Sequence, residues 1–248
     1  MCERQGESRQ AHCRPGAHGG RWRLFRRVLG ILLMILVFSA QFSGTVEAAG
    51  RRMVVIDPGH GGDDPGAVDK ANGVFEKTVN LQVARRTQAA LGAAGHGVFM
   101  TREDDELLCQ ADGGFVRRHI SLNERAQVAN ANAAEVFLSI HSNIFYDPDC
   151  SGAEIYYYHL SEEGRLLAGE VKRALGEMRI ECRIKPADYF VLRKTSMPAI
   201  LIEMGYMSHP REGRMLLEPT YQQVLAEAFA KAVNNYLRQS RLGRDASP

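Results

Sequence analysis

Several patterns that would give a direct answer are missing from this chain. Its five cysteines form no CxxC pair, which excludes a structural zinc knot. Neither HExxH nor HxxEH occurs, so the helix-borne signatures of zinc peptidases are not met. Without a G-x-S-x-G elbow, a serine hydrolase of that type is excluded. The glycine-rich segment near residue 60 lacks the Lys-Ser/Thr of a P-loop and does not keep GxGxxG spacing. Beyond residue 50 there is neither an internal repeat nor a low-complexity linker, which favours one compact domain of about 200 residues.

An excess of positive charge is also lacking. The full chain holds 31 basic and 29 acidic residues, and residues 1–48 carry seven Arg and three Glu, leaving 24 basic and 26 acidic residues beyond them. Nothing in a slightly acidic domain suggests the basic face that nucleic-acid binding requires. Only one long apolar run occurs, from Val28 to Ala40, and its thirteen residues fall short of the roughly 20 that span a bilayer. Arg21, Arg23, Arg26 and Arg27 precede it, and Val46 and Ala48 offer a small-residue cleavage pattern before Ala49. That is the layout of a secretory signal peptide. Residues 1–48 are therefore expected to be a leader, 49–240 the folded domain and 241–248 a tail. The expected destination is the periplasm or cell envelope, with a membrane link only through an uncleaved leader. The Arg26-Arg27 doublet does not by itself establish a twin-arginine route. Cys2 and Cys13 lie in the leader, so Cys109, Cys150 and Cys182 remain. In an oxidising compartment they allow one disulfide and one thiol, of unassigned pairing and no catalytic role.

Short apolar runs alternate with helical patterns along the rest. Met53 to Ile56 reads as a buried strand closed by Asp57-Pro58-Gly59. A helix follows from Glu76, with Leu81, Ala84, Leu91 and Ala94 on one stripe and Gly95 as its stop. Val98 to Thr101 reads as the second strand. Ser121 and Glu124 have capping-box spacing before another helical stripe. Val136 to Ile140 is the third strand and Ala153 to Tyr158 the fourth, and Ser161 opens a helix to about Leu175. Tyr189 to Leu192 reads as a short strand, Ala199 to Ile202 as another, and a final helix begins at Pro219. The expected fold class is α/β: a single domain with a mostly parallel sheet flanked by helices on both faces.

In such sheets ligands gather beyond the carboxyl ends of strands. His60 follows the first strand, His141 ends the third and Glu203 ends the last. Each has an ordinary reading: His60 as a turn histidine, His141 as a hydrogen-bonded strand-end residue, and Glu76 as a carboxylate that complements a helix N-terminus. Glu203 fits the ordinary reading least, since a lone carboxylate after Ala199-Ile200-Leu201-Ile202 is costly to desolvate unless paired, hydrated or used. Together, His60, Glu76 and His141 make the three-ligand set of a catalytic zinc with a fourth position for water. Glu203 is then placed to accept the water's proton and pass it to a leaving amine.

Several ordered motifs surround these residues: Val55-Ile56-Asp57-Pro58-Gly59-His60-Gly61-Gly62, Asp64-Pro65-Gly66-Ala67, Glu76-Lys77, Thr101-Arg102, Leu122-Asn123-Glu124-Arg125, Ser139-Ile140-His141-Ser142-Asn143, Met197-Pro198-Ala199 and Ile202-Glu203-Met204-Gly205-Tyr206. From about Met53 to Tyr236 the chain thereby resembles the zinc-dependent N-acetylmuramoyl-L-alanine amidases of the bacterial cell wall, amidase type 3. The resemblance implies one zinc ion on His60, Glu76 and His141, Glu203 as the catalytic glutamate, and peptidoglycan as substrate. The bond implied is the amide between the lactyl group of N-acetylmuramic acid and the first L-alanine of the stem peptide. It does not cover Cys109 to Ile120, read as a surface insertion in preference to a substrate-side or regulatory loop, and it assigns no wall-binding module and no activating protein. Two other readings are a zinc peptidase acting within the stem peptide and an inactive wall-binding protein of the same fold.

Overall fold

The computed structural model describes residues 51–69, 73–105, 107–109, 115–117 and 120–245. The expected leader lies outside them, as does most of the Cys109–Ile120 stretch. Among the described residues no helix is long and apolar enough to cross a membrane.

Six strands make the central sheet: β1 (Met53–Pro58), β4 (Gly97–Met100), β7 (Val136–Asn143), β8 (Ala153–Tyr158), β9 (Cys182–Ala187) and β10 (Ala199–Tyr206). Their order is β4-β1-β7-β10-β8-β9. Every neighbouring pair is parallel except β10 with β8. Two small antiparallel ladders lie outside it, β2 (Val68–Asp69) with β3 (Val74–Phe75) and β5 (Leu107–Cys109) with β6 (Phe115–Arg117). The helices are α1 (Glu76–Ala93), α2 (Leu122–Ala131), α3 (Glu162–Glu177), α4 (Phe190–Lys194), α5 (Glu212–Leu217) and α6 (Pro219–Asp245). The last runs past the boundary at residue 240 drawn from sequence.

Side chains alternate across a strand, and the two faces of the sheet meet different layers. Val54, Ile56, Leu138, Ile140, Ile155, Ile200 and Ile202 point into the larger core, with Val79 and Val83 of α1, Leu167 and Val171 of α3, and Phe229 and Val233 of α6. In α6, Leu225, Ala228, Phe229, Ala232, Val233 and Tyr236 recur at three- and four-residue steps, the stripe that a core-facing helix needs, and all are buried. Burying each large side chain there contributes about 1.5–3 kcal/mol. Val55, Phe137, Ala199 and Leu201 point the other way, into a smaller cluster with Ala129 of α2 and Val191 and Leu192 of α4.

The capping box of α2 forms as its spacing predicts: Glu124 N–H donates to Ser121 Oγ at 3.3 Å, and Ser121 N–H donates to Glu124 Oε2 at 2.9 Å. The expected strand at Tyr189–Leu192 is instead the start of α4. Tyr189 is its N-cap, and Val191 and Leu192, one helical step apart, both plug the smaller core. Strand β9 was missed because its run holds Pro186, which argues against a strand interior. Proline is tolerated here because β9 is the sheet's edge. Cys150 and Cys182 are both free, so neither forms the allowed disulfide.

Candidate active site

The chain leaves β1 through Gly59, His60, Gly61 and Gly62, of which His60, Gly61 and Gly62 have positive φ (62°, 120° and 63°). A histidine in this region is uncommon and needs support. Two arginines supply it. Arg125 donates to the Pro58 carbonyl at 2.8 Å and the His60 carbonyl at 2.6 Å. Arg102 donates to the Pro58 and Gly59 carbonyls at 3.1 and 2.9 Å. Arg125 is itself anchored on Asp57, which also accepts from the Thr101 and Ser139 hydroxyls. Burial alone would raise the Asp57 pKa, but Arg125 and the two hydroxyls outweigh it and hold the carboxylate ionised. Gly59 is required for a different reason: a Cβ there would lie 2.2 Å from the His141 ring.

Strand β7 runs further than its apolar pattern suggests. β1 pairs with it only as far as Pro58 opposite Ile140, so His141 stands where β1 has already turned away. Strand β10 also continues, and Glu203 sits inside it, directly opposite His141. The two residues therefore belong to strand interiors near the sheet's upper rim rather than to the positions just after the strands.

Glu76 reaches the same place from the first turn of α1 and is 4% exposed. Its Oε2 lies 3.1 Å from His60 Nε2 and its Oε1 lies 3.0 Å from His141 Nδ1. The two imidazoles meet edge to face at 4.9 Å. One ligand atom from each of His60, Glu76 and His141 fits within 4.8 Å of the others, so these three could hold a metal ion. The surroundings fix them. Ala67 N–H donates to Glu76 Oε2, while Ser142 N–H and Asn80 Nδ2 donate to Oε1. Asp64 Oδ2 lies 2.7 Å from His60 Nδ1, the carboxylate–histidine pairing that orients a metal-binding ring. A Cβ on Gly66 would fall 2.5 Å from Glu76 and 2.6 Å from His60, so only glycine lets the loop close over them. Burial works against ionised Glu76, yet His141 and His60 keep it well below the usual carboxylate range. His60 feels burial as a downward push, but Glu76 and then Asp64 carry its pKa above the ordinary value.

Glu203 differs from all of these. Its Oε2 is buried and has no hydrogen-bond partner. Burial pushes its pKa up to about 7; the nearby His141 and His60 pull against this and Glu76 adds to it. A cleft of about 240 Å³ opens over it on the smaller face of the sheet, lined by His60, His141, Arg125, Tyr189, Val191 and Leu201 among others. Such an arrangement can bind a cation on one side and exchange a proton near neutral pH on the other.

All four residues singled out from the sequence thus converge. Asn80 was missed, although it lies one helical turn after Glu76, a spacing that puts both on one face. The supporting roles of Asp64 and Arg125 were missed too, because they depend on loop geometry.

The chain is similar to proteins that are already known. The family model described as N-acetylmuramoyl-L-alanine amidase matches residues 54–235. The germination-specific N-acetylmuramoyl-L-alanine amidase of Bacillus subtilis is 31% identical over 232 residues, covering 88% of this chain and 95% of that protein. The solved N-acetylmuramoyl-L-alanine amidase AmiC2 of Nostoc punctiforme superposes with a TM-score of 0.68 at 35% identity, over 77% of this chain and 99% of that one. The CwlD amidase of Clostridioides difficile, solved in complex with the GerS lipoprotein, gives 0.65 at 27% identity over 76% and 99%. The chain belongs to the N-acetylmuramoyl-L-alanine amidase family of peptidoglycan hydrolases.

Proposed function

We propose that His60, Glu76 and His141 hold one zinc ion and that Glu203 is the base in hydrolysis of the amide between N-acetylmuramic acid and the first L-alanine of the stem peptide. The observation that carries this reading is the three-ligand cluster beside a buried, unpartnered Glu203 oxygen. Two imidazoles and one carboxylate are a donor set that zinc favours. When bound, zinc supplies Lewis-acid polarisation of the scissile carbonyl and lowers the pKa of the attacking water.

The chain's own residues do the rest. Glu76 stays ionised and so offers a formal charge to the cation. Asp64 and Arg125 hold the His60 ring and backbone where the ligand set needs them. Glu203, unencumbered at Oε2, takes a proton from the attacking water and returns it to the amine as the carbon–nitrogen bond breaks. Its raised pKa serves both halves of that exchange, because a group near the working pH both accepts and donates.

Export to the periplasm or cell envelope belongs to this reading, supported by the leader pattern and by the cell-wall setting of the relatives, among them a probable cell wall amidase of Staphylococcus aureus. A protein partner comparable to the lipoprotein seen with CwlD is a further part of it. Digestion of purified peptidoglycan, with and without a chelator, tests the reaction. Intact stem peptides with a new amino-terminal alanine are expected, and only without chelator. Release of single terminal amino acids would instead identify a peptidase.

A further inference from the structure

Resting on that reading, one side of the cleft has a character the reaction itself does not explain. Leu201 lies two residues before Glu203 on the same face of β10. Val191 of α4 belongs to the same smaller core, and Leu122 and Tyr189, which also line the cleft, stay 54% and 41% exposed. Asp57, Arg125 and Ser139, which border this wall, are engaged with one another. Asp57 accepts from Arg125 at 2.6 Å and from the Ser139 hydroxyl at 2.8 Å. Arg125 donates further to the carbonyls of Ile120, Pro58 and His60. The surface of the cleft is mostly apolar, and it adjoins Glu203, whose Oε2 is buried and unpartnered.

Glu203 must come within hydrogen-bond reach of the leaving amine to protonate it. The carbon bearing that amine then sits one bond away, and its side chain falls beside Glu203. We propose that the apolar wall of Leu122, Val191 and Leu201 receives the methyl group of the alanine whose amine leaves, making these three residues determinants of specificity at the first stem position. A hydroxyl placed there would lose water without gaining a partner, and a missing methyl would leave the wall unfilled.

The test compares synthetic muramyl peptides with alanine, glycine, serine or valine as the first residue. The expected kcat/KM for glycine is about tenfold below that for alanine, the usual cost of one missing carbon in an apolar pocket. Val191→Ala should shift the preference toward the valine substrate. Leu122→Ser, at a half-exposed position outside both cores, should shrink the alanine-over-glycine ratio several-fold. A readout free of turnover is calorimetric binding of the released alanine-first and glycine-first peptides to the zinc-loaded Glu203→Gln variant, where the same order is expected. Equal handling of alanine and glycine by the native enzyme, or ratios unmoved in both wall variants, would overturn the assignment while leaving the amidase intact. Absence of cleavage for every muramyl amide would instead overturn the proposed reaction.

Discussion

On one face of the sheet, α1, α3 and α6 cover Ile56, Leu138, Ile155 and Ile202 with a continuous apolar layer. On the other, α2 and the five-residue α4 cover only part of the strands, and the rest of that face carries Asp57, Ser139, His141 and Glu203 around an open cleft. The same strands supply both, through alternation alone. The difference separates two tasks. The covered face holds the domain together, whereas the cleft face keeps groups that cost stability: a histidine at positive φ, a buried Arg125–Asp57 pair and an unpartnered carboxylate oxygen. Each of these is unfavourable or neutral for folding by itself. Residues placed for chemistry are expected to behave in this way.

The sharpest way to break this comparison is at Glu203. Glu203→Gln should lower kcat by about 10²- to 10⁴-fold, the range for a lost general base, without lowering the melting temperature. A variant that melts well below the native protein would show that the carboxylate holds the fold together after all. The reciprocal change lies on the covered face. Phe229 is fully buried in α6, and Phe229→Ala should cost about 3–5 kcal/mol in denaturant unfolding, with kcat per folded molecule preserved. A comparable fall in kcat would mean that the two faces are not separable. Asp64→Asn addresses the support of the ligands rather than the chemistry. Zinc affinity by competition with a chelator should fall about 10- to 100-fold, and an unchanged affinity would remove Asp64 from that role.

The comparison also explains what could be read in advance. The covered face announces itself in sequence, because α1 and α6 repeat their apolar residues at helical spacing, β1 and β10 begin as unbroken apolar runs, and the run of β7 is interrupted only by Ser139 before His141. The four residues proposed for the site could be picked out because three of them adjoin those runs and the surrounding motifs tie them together. The smaller face was harder. Tyr189-Phe190-Val191-Leu192 has the aromatic and β-branched content of a strand, and a run of four residues is too short to show a period; its helical form is set by how Val191 and Leu192 fill the smaller core. The reversed direction of β8 and β9 leaves no mark on local pattern. Nor does a sequence show that Arg125 closes on the His60 carbonyl, since that bond joins positions 65 residues apart.

The smallest expected effect, and the one that most directly joins the two faces, is on pH dependence. In the metal-free protein the His60 pKa is raised above 6.5 by Glu76 and Asp64, despite burial. The stabilisation this gives is therefore fully present below about pH 6.5 and is lost as pH rises through the folded-state value. Zinc binding has the opposite sign, because the ion must displace that proton, so affinity should weaken about tenfold per pH unit below the His60 pKa. Melting curves from pH 5.5 to 8.5 would show both trends. The margin of metal-free native protein over metal-free His60→Gln should shrink as pH rises, while the gain in melting temperature on adding zinc should grow. A margin that widens with pH would reverse the sign of the His60 shift and detach the ligand cluster from the stability of the cleft face.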